Sequence, residues 1–223
     1  MKRAWWIIIL PLAVLFLSRL LSGADLSTYR GFQFGMTLNS AVQHSGMDPS
    51  EVTLLHQRPA RIEELAWMPE RFSGAGGEMD PVKQVLFSFY NGQLFRMVVD
   101  YDADRTKGMS VQDLIEAISA HYGTATRPVA DALLPSRSFS EAITVVARWE
   151  NADYSFSLVQ SSYGSGYGLI ALCRRLDGMA REAIASGKRL DDQELPQRQK
   201  IDKQNVQDRL EKERLANRMH FRP

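Results

Sequence analysis

Apolar and polar residues alternate on both sides of an Asn-Gly pair in the segment VKQVLFSFYNGQLFRMVVDY. Strict alternation predicts half-buried β-strands, and Asn91-Gly92 supplies the positive φ angles of a two-residue turn. The segment therefore predicts a β-hairpin with one inward-facing set of side chains in each arm. These sets are Val85, Phe87 and Phe89 in the first arm and Phe95, Met97, Val99 and Tyr101 in the second.

A second group of strands is predicted further along the chain. ITVVARWE and YSFSLV are short runs rich in β-branched and aromatic residues, separated by the turn NAD, and LIALCRR follows after SSYGSGYG. The segment LDGMAREAIASG, residues 176–187, then has the composition of a short helix that leads out of the last strand. Each group of strands thus belongs to a predicted antiparallel sheet.

Each sheet is preceded by a helix with the same beginning. Residues 34–46 and 107–123 both contain Gly-Met followed by Thr or Ser, then a helical pattern that ends near a glycine. Thr37 and Ser110 are suitable N-caps, and Asp113 adds a carboxylate to the first turn of the second helix. The sequence therefore predicts an α+β fold of two tandem helix-plus-antiparallel-sheet units.

The expected organisation has four parts, each with a different composition. The two units are followed by a highly charged segment and preceded by an apolar one. The divisions are 1–24 as signal peptide or membrane anchor, 25–106 as the first α+β unit, 107–188 as the second, and 189–223 as a charged helical or disordered tail.

The N-terminus has the pattern of an export signal. Two basic residues precede an apolar run at 4–17, which has the length of a signal-peptide core and is short for a membrane span. Ser22 and Ala24 are small residues at the −3 and −1 positions of a cleavage site before Asp25. The alternative is an uncleaved anchor that contacts the membrane through residues 4–22. Both interpretations place the rest of the chain in the periplasm, free or anchored to the inner membrane.

Charge and cysteine content narrow the possible partners. Lys and Arg (27) almost balance Asp and Glu (26) in the 223 residues, so no overall field favours nucleic acid. Cys173 is the only cysteine, which excludes an intrachain disulfide. It lies in a predicted strand, where a small buried thiol is the ordinary interpretation.

Three aspartates at alternate positions, Asp100, Asp102 and Asp104, raise the question of a cation site. An EF-hand loop that begins at Asp100 needs Gly at its sixth position and Glu at its twelfth. Those positions hold Arg105 and Val111, so both requirements fail. We interpret the aspartates as the solvated end of a strand and predict no metal site.

Catalytic patterns receive little support from the sequence. None of the four histidines has a second His or Cys at zinc spacing. His44 and His121 lie near predicted helix C-termini, where imidazole suits the helix dipole. No G-x-S-x-G elbow occurs, and no Gly-rich loop has the Lys-Ser/Thr of a phosphate site. We predict no catalytic residue and no cofactor.

The charged segment and the aromatic residues are the remaining candidates for binding. The apolar residues of the segment recur every four or five positions, which is a poor coiled-coil seam and leaves a solvated, partly disordered or partner-binding helix. The loop 73–81 has a flexible composition that suits a bridge or a partner contact. Strand aromatics belong either to the sheet core or to an adhesive sheet face. The candidates for that face are Trp67, Tyr90, Tyr101, Trp149 and Tyr154.

The segment FGMTLNSAVQHSGMDP resembles the opening of the small outer-membrane-assembly lipoproteins of the SmpA/OmlA (BamE) type, and the tandem arrangement resembles β-lactamase inhibitor proteins. The resemblance implies an exported α+β module that binds proteins and has no catalytic centre. The chain departs from the lipoprotein pattern because it lacks a lipidation cysteine and has a long charged tail. The matching positions are Gly35, Thr37, Val42, Gly46 and Pro49, with a weaker second match at Gly108, Ser110, Ile115 and Gly123.

The expected function is therefore that of a non-enzymatic protein-binding module of the bacterial cell envelope, with an envelope protein as partner. A periplasmic small-ligand carrier and an enzyme are the alternatives. A preformed apolar cavity with a few polar groups is the feature expected of a carrier. A flat aromatic surface is the feature expected of a binding module.

Overall fold

The computed structural model describes residues 25–69, 80–126, 133–134, 143–161 and 166–222. The predicted export segment 1–24 and most of the loop 73–81 lie outside these residues. The described part has the predicted α+β class, with a two-stranded sheet, a larger antiparallel sheet and three helices. The helices are α1 (Leu38–Ser45), α2 (Val111–Tyr122) and α3 (Arg174–His220), with a 3₁₀ turn at Pro49–Glu51.

The large sheet contains eight of the described strands in the order β3-β4-β5-β6-β10-β9-β8-β7. Neighbours within each half follow one another in sequence, and the halves meet where β6 pairs with β10, with Val98 opposite Ile170. The strands are β1 (Thr28–Tyr29) and β2 (Phe32–Gln33) in the small sheet, and β3 (Thr53–His56), β4 (Ile62–Trp67), β5 (Val82–Tyr90), β6 (Gln93–Tyr101), β7 (Leu133–Leu134), β8 (Ile143–Glu150), β9 (Tyr154–Ser161) and β10 (Tyr167–Cys173) in the large one.

The predicted hairpin is confirmed, with one change of phase. Asn91 and Gly92 have φ angles of 47° and 78°, as a tight turn requires. A bulge follows, because Ser88 pairs with Arg96 while the next residue of β5 already pairs with Leu94. The bulge turns Phe95 to the opposite face of the sheet from Met97, so the prediction that these two share a face is wrong.

The predicted helix caps are also confirmed. The Thr37 hydroxyl accepts a hydrogen bond from the Ser40 amide at 3.1 Å. The Ser110 hydroxyl accepts from the Asp113 amide at 3.2 Å, and the Asp113 carboxylate accepts from the Ser110 amide at 2.7 Å. These caps satisfy amides that have no partner inside the helix. Helices α1 and α2 pack on one face of the sheet and bury its main core there.

Helix α3 packs on the opposite face of the sheet. Leu176 and Ala180 are buried against Ile62 and Phe95. In the same turn of the helix Asp177 is buried, and its carboxylate accepts a hydrogen bond from Arg96 of β6 at 2.6 Å and pairs with Arg181 on the helix itself. The first turns of α3 are thus held by apolar packing and by an ion pair.

The helix predicted at 176–187 is longer than expected, because α3 continues without a break through the charged segment as far as His220. The backbone stays helical at Gly187, where a glycine is needed because a Cβ atom would lie 2.8 Å from the Arg58 carbonyl oxygen. The helix also continues through Pro196, whose missing N–H removes one hydrogen bond. The glycine allows close packing here and does not end the helix.

The three aspartates lie where strand β6 ends, as predicted. Asp100 is in the strand, and Lys83 lies 3.7 Å from its carboxylate as a countercharge. The Asp102 carboxylate accepts hydrogen bonds from the amides of Asp104 and Arg105, at 2.8 and 3.2 Å, and so stabilises the turn that follows. The strand-exit interpretation is confirmed.

None of the helices that the structure describes has an apolar stretch of the length and composition that crosses a membrane.

Candidate functional site

Four of the five aromatic residues predicted for an adhesive face lie on the side of the sheet covered by α1 and α2. Trp149 is only 2% exposed, and its indole N–H donates to the Gly123 carbonyl at 2.9 Å and to the Ser119 hydroxyl at 3.2 Å. These bonds join β8 to the end of α2. Trp149 therefore has a structural role inside the protein.

Trp67 and Tyr154 are half-buried next to the same core. The Trp67 ring stacks on Phe87 with centroids 6.2 Å apart, and Tyr154 stacks on Phe34 at 5.4 Å. The indole N–H of Trp67 is buried and finds no hydrogen-bond partner among the residues that the structure describes. Both rings contribute apolar area to the core rather than to an open surface.

Tyr90 lies on the other face, and Tyr101 lies near the end of β6. Tyr90 packs at the edge of the cluster formed by Ile62, Phe95, Leu176 and Ala180 under α3. Tyr101 is partly buried and packs against the core on the side covered by α1 and α2. The five predicted residues are therefore spread over two faces and form no common exposed surface.

The Tyr101 ring lines a cavity of about 550 Å³ between α2, the small sheet and the end of β6. Burial raises the pKa of Tyr101 to about 12. Burial likewise raises the pKa of Tyr29 well above its ordinary value. Both hydroxyls are therefore neutral at physiological pH. The apolar and aromatic walls include Tyr29, Tyr101, Met109, Leu114, Ile118 and Tyr122.

The polar groups at the cavity are few and mostly basic. Arg30, Arg105 and His121 contribute to the lining. Arg30 donates to Asp80 at 2.6 Å, and its guanidinium lies 6.0 Å from the centroid of the Tyr29 ring. Among the lining residues, all in the described part of the chain, none is an aspartate or glutamate.

The second candidate is the part of α3 beyond Glu194, here called the projecting helix (residues 195–220). Glu194 and Asp191 receive hydrogen bonds from Arg58 at 2.6–2.8 Å, which is where the helix leaves the body. Every residue from 195 to 222 is exposed. At about 1.5 Å per residue, the projecting helix is roughly 40 Å long. Its large apolar side chains, all exposed, are Leu195, Ile201, Val206, Leu210, Leu215 and Met219.

The charges of the projecting helix and of the two residues after it are mainly positive. Glu211 forms an ion pair with Arg214 at 2.5 Å, and both residues are exposed. The basic residues are Arg198, Lys200, Lys203, Arg209, Lys212, Arg214, Arg218 and Arg222, and the acidic residues are Asp202, Asp208, Glu211 and Glu213.

The sequence alone identified only part of these two sites. It placed Tyr101 among the candidates and recognised a partner-binding helix as one interpretation of the tail. It did not identify Tyr29 or Tyr122, which the fold brings beside Tyr101. Among described residues, no group of three or more His, Cys, Asp or Glu side chains has the arrangement of a metal site.

Comparison with known proteins adds no relative: no protein-family model, no curated protein and no solved structure matches this chain.

Proposed function

We propose that this chain is an exported, non-enzymatic protein-binding module of the bacterial cell envelope, and that the projecting helix is the element that binds its partner. The observation that carries the proposal is the full exposure of residues 195–220 on a helix that is continuous with the packed part of α3. The partner is an envelope protein.

The apolar side chains of the projecting helix favour a protein partner. Val206 and Leu210 lie one turn apart on the same side of the helix, as do Leu215 and Met219. Such i, i+4 pairs are the anchors that a helix inserts into an apolar groove. Leu215 lies two and a half turns beyond Val206, so the two pairs face opposite sides of the helix and one groove buries one pair. Burial of one such side chain contributes roughly 1.5–3 kcal/mol, so the Val206–Leu210 pair alone contributes about 3–6 kcal/mol to binding.

The net positive charge of the projecting helix indicates the charge expected on the partner surface. Eight basic residues against four acidic ones between 198 and 222 favour an acidic rim around the apolar groove. Complementary charge increases the association rate and makes binding weaker at high salt. The proposed partner surface is therefore an apolar groove bordered by Asp and Glu.

The tandem organisation and the export are parts of the same proposal. Both halves begin with Gly-Met and a capping Thr or Ser, and in both halves the capped helix packs on the same face of the large sheet. This parallel supports two related units at 25–106 and 107–188. The basic and apolar residues at 1–24 support a signal peptide or an anchor, with membrane contact through residues 4–22.

The test is photocrosslinking in cells, with a photoreactive phenylalanine analogue at position 206 of the full chain. We expect one envelope protein to be crosslinked. The purified partner is then titrated with the chain, and Val206→Ser combined with Leu210→Ser is expected to weaken binding by at least about tenfold.

The control is Gln197→Ser combined with Gln204→Ser, which changes polar side chains on the same exposed helix and is expected to leave the affinity unchanged. Crosslinking to a second copy of this chain, or to no protein, would overturn the proposal. Equal affinities for the two double variants would overturn it as well.

A further inference from the structure

The cavity beside Tyr101 has the dimensions and the walls of a small-molecule site. Its volume of about 550 Å³ lies within the range of roughly 300–1,000 Å³ found for ligand pockets. Met109, Leu114 and Ile118 provide aliphatic walls, and the rings of Tyr29 and Tyr122 provide aromatic ones. A ligand that fits these walls has an apolar body.

The tyrosine hydroxyls do not determine which polar group the ligand carries. Those of Tyr29 and Tyr101 are neutral at physiological pH because burial raises the pKa of both, and that of Tyr122 donates to the Thr28 carbonyl at 3.4 Å. Burial raises the pKa of Tyr122 as well, so none of the three hydroxyls places a charge in the cavity. The charged groups at its border have to select the ligand.

Those charged groups favour an anion. Arg30 and Arg105 line the cavity, and the exposed His121 lies near them at the end of α2. Asp80 accepts one N–H of Arg30, and a guanidinium has five N–H donors in total. Arginine binds carboxylates well because its planar donors match the two oxygens.

We infer that this cavity binds a small monocarboxylate with an apolar body, with the aliphatic or aromatic part between α2 and the small sheet and the carboxylate at Arg30 and Arg105. The site is independent of the projecting helix. The cavity lies on the face of the sheet covered by α1 and α2, whereas α3 packs on the opposite face. Loss of partner binding therefore leaves this site intact.

The probe pair is octanoate and octanol, which share an apolar chain and differ in charge. Isothermal titration of the exported chain is expected to show one octanoate site and at least tenfold weaker binding of octanol. Arg105→Gln is expected to weaken octanoate at least fivefold and to leave octanol unchanged, because only the charged group loses a contact.

Two tryptophan variants on α2 locate the site. Ala117 lines the cavity and is exposed, so Ala117→Trp fills its opening without entering the core. Ala120 is exposed on the same helix and away from the cavity, which makes Ala120→Trp the matched control. We expect Ala117→Trp to reduce octanoate affinity at least tenfold and Ala120→Trp to leave it unchanged.

The proposal is overturned by equal affinity for octanoate and octanol, by equal effects of the two tryptophan variants, or by absence of octanoate binding at millimolar concentration. Since circular dichroism reports folding independently, a variant that loses its helical signal is replaced by Met109→Trp, which fills the cavity from its other wall.

Discussion

The two parts of helix α3 have similar backbone geometry and very different surroundings. Between Arg174 and Glu194, the helix buries Leu176, Asp177 and Ala180 against the sheet. Beyond Glu194, every side chain is exposed, including Ile201 at 58% and Met219 at 83%. The first part is stabilised by packing, and the second depends on its own helix propensity and on local ion pairs.

This difference separates residues that maintain the fold from residues available for binding. A substitution in the packed part is expected to change the stability of the whole domain, since it removes contacts to the sheet. A substitution in the projecting helix is expected to leave that stability almost unchanged and to act on partner binding.

Asp177→Ala is expected to destabilise the protein by about 2 kcal/mol, because it leaves the partly buried Arg96 guanidinium without its carboxylate partner. The residue affected is Arg96, whose Nε is already buried with no partner among the residues that the structure describes. The measurement is urea unfolding followed by tryptophan fluorescence. Asp208→Ala, in the projecting helix, is the control and is expected to change the free energy of unfolding by less than about 0.5 kcal/mol.

If Asp177→Ala and Asp208→Ala shift the unfolding midpoint equally, the two parts of α3 do not differ in the way described. Replacing both members of the pair, with Asp177→Leu and Arg96→Met together, is expected to recover most of the lost stability. Apolar residues of similar size often replace a buried ion pair without loss.

Replacement of glycine by alanine is expected to have opposite effects on stability at two positions of α3. Gly187→Ala brings a Cβ atom to 2.8 Å from the Arg58 carbonyl, and we expect a loss of about 1–2 kcal/mol from overpacking. Gly178→Ala meets no atom within 4 Å and is expected to gain about 0.5–1 kcal/mol from helix propensity. Thermal unfolding of the two variants measures both signs, and a stabilising Gly187→Ala would contradict close packing at Arg58.

The place where α3 leaves the body is expected to respond to acid. Hydrogen bonds from Arg58 and Arg198 lower the pKa of Glu194 to about 2, from an ordinary value of 4.5. A lowered acidic pKa means that the contact is fully formed above about pH 4.5 and is lost as the pH falls through about 2. Carboxyl carbon NMR measures this midpoint directly.

In Arg58→Gln the midpoint of Glu194 is expected to rise toward its ordinary value. Glu211 is the internal control, because its pKa is lowered by Arg214 within the projecting helix and does not depend on Arg58. A midpoint of Glu194 that does not move in Arg58→Gln would show that the body does not hold the helix at this point.

Local signals made much of the fold predictable from the sequence. Thr37, Ser110 and Asn91 act through bonds and backbone angles within a few residues of themselves, so their roles can be read from neighbouring positions. The bulge at Phe95 and the passage of α3 through Gly187 depend on contacts with distant strands and turns. No pattern of neighbouring residues encodes them.

The candidate sites also differ in how far they depend on contacts between distant residues. The projecting helix has a composition that is visible in the sequence, although its exposure is not. The cavity is formed by Tyr29, Tyr101 and Tyr122, which come from three separate segments and meet only in the folded chain. Trp149 and Tyr101 have the same kind of sequence context, and only the fold shows that one ties α2 to the sheet while the other lines the cavity.

The pairing of β6 with β10 also determines the order in which the sheet can be completed. The other strand pairs of the large sheet join consecutive described strands. Strand β6 instead pairs on one side with β10, which is formed by residues 167–173. Until β10 is in place, this edge of β6 is an unpaired row of backbone donors and acceptors, and closing such a long-range pair is slow. The last strand of this sheet to be synthesised is therefore the one that closes its middle.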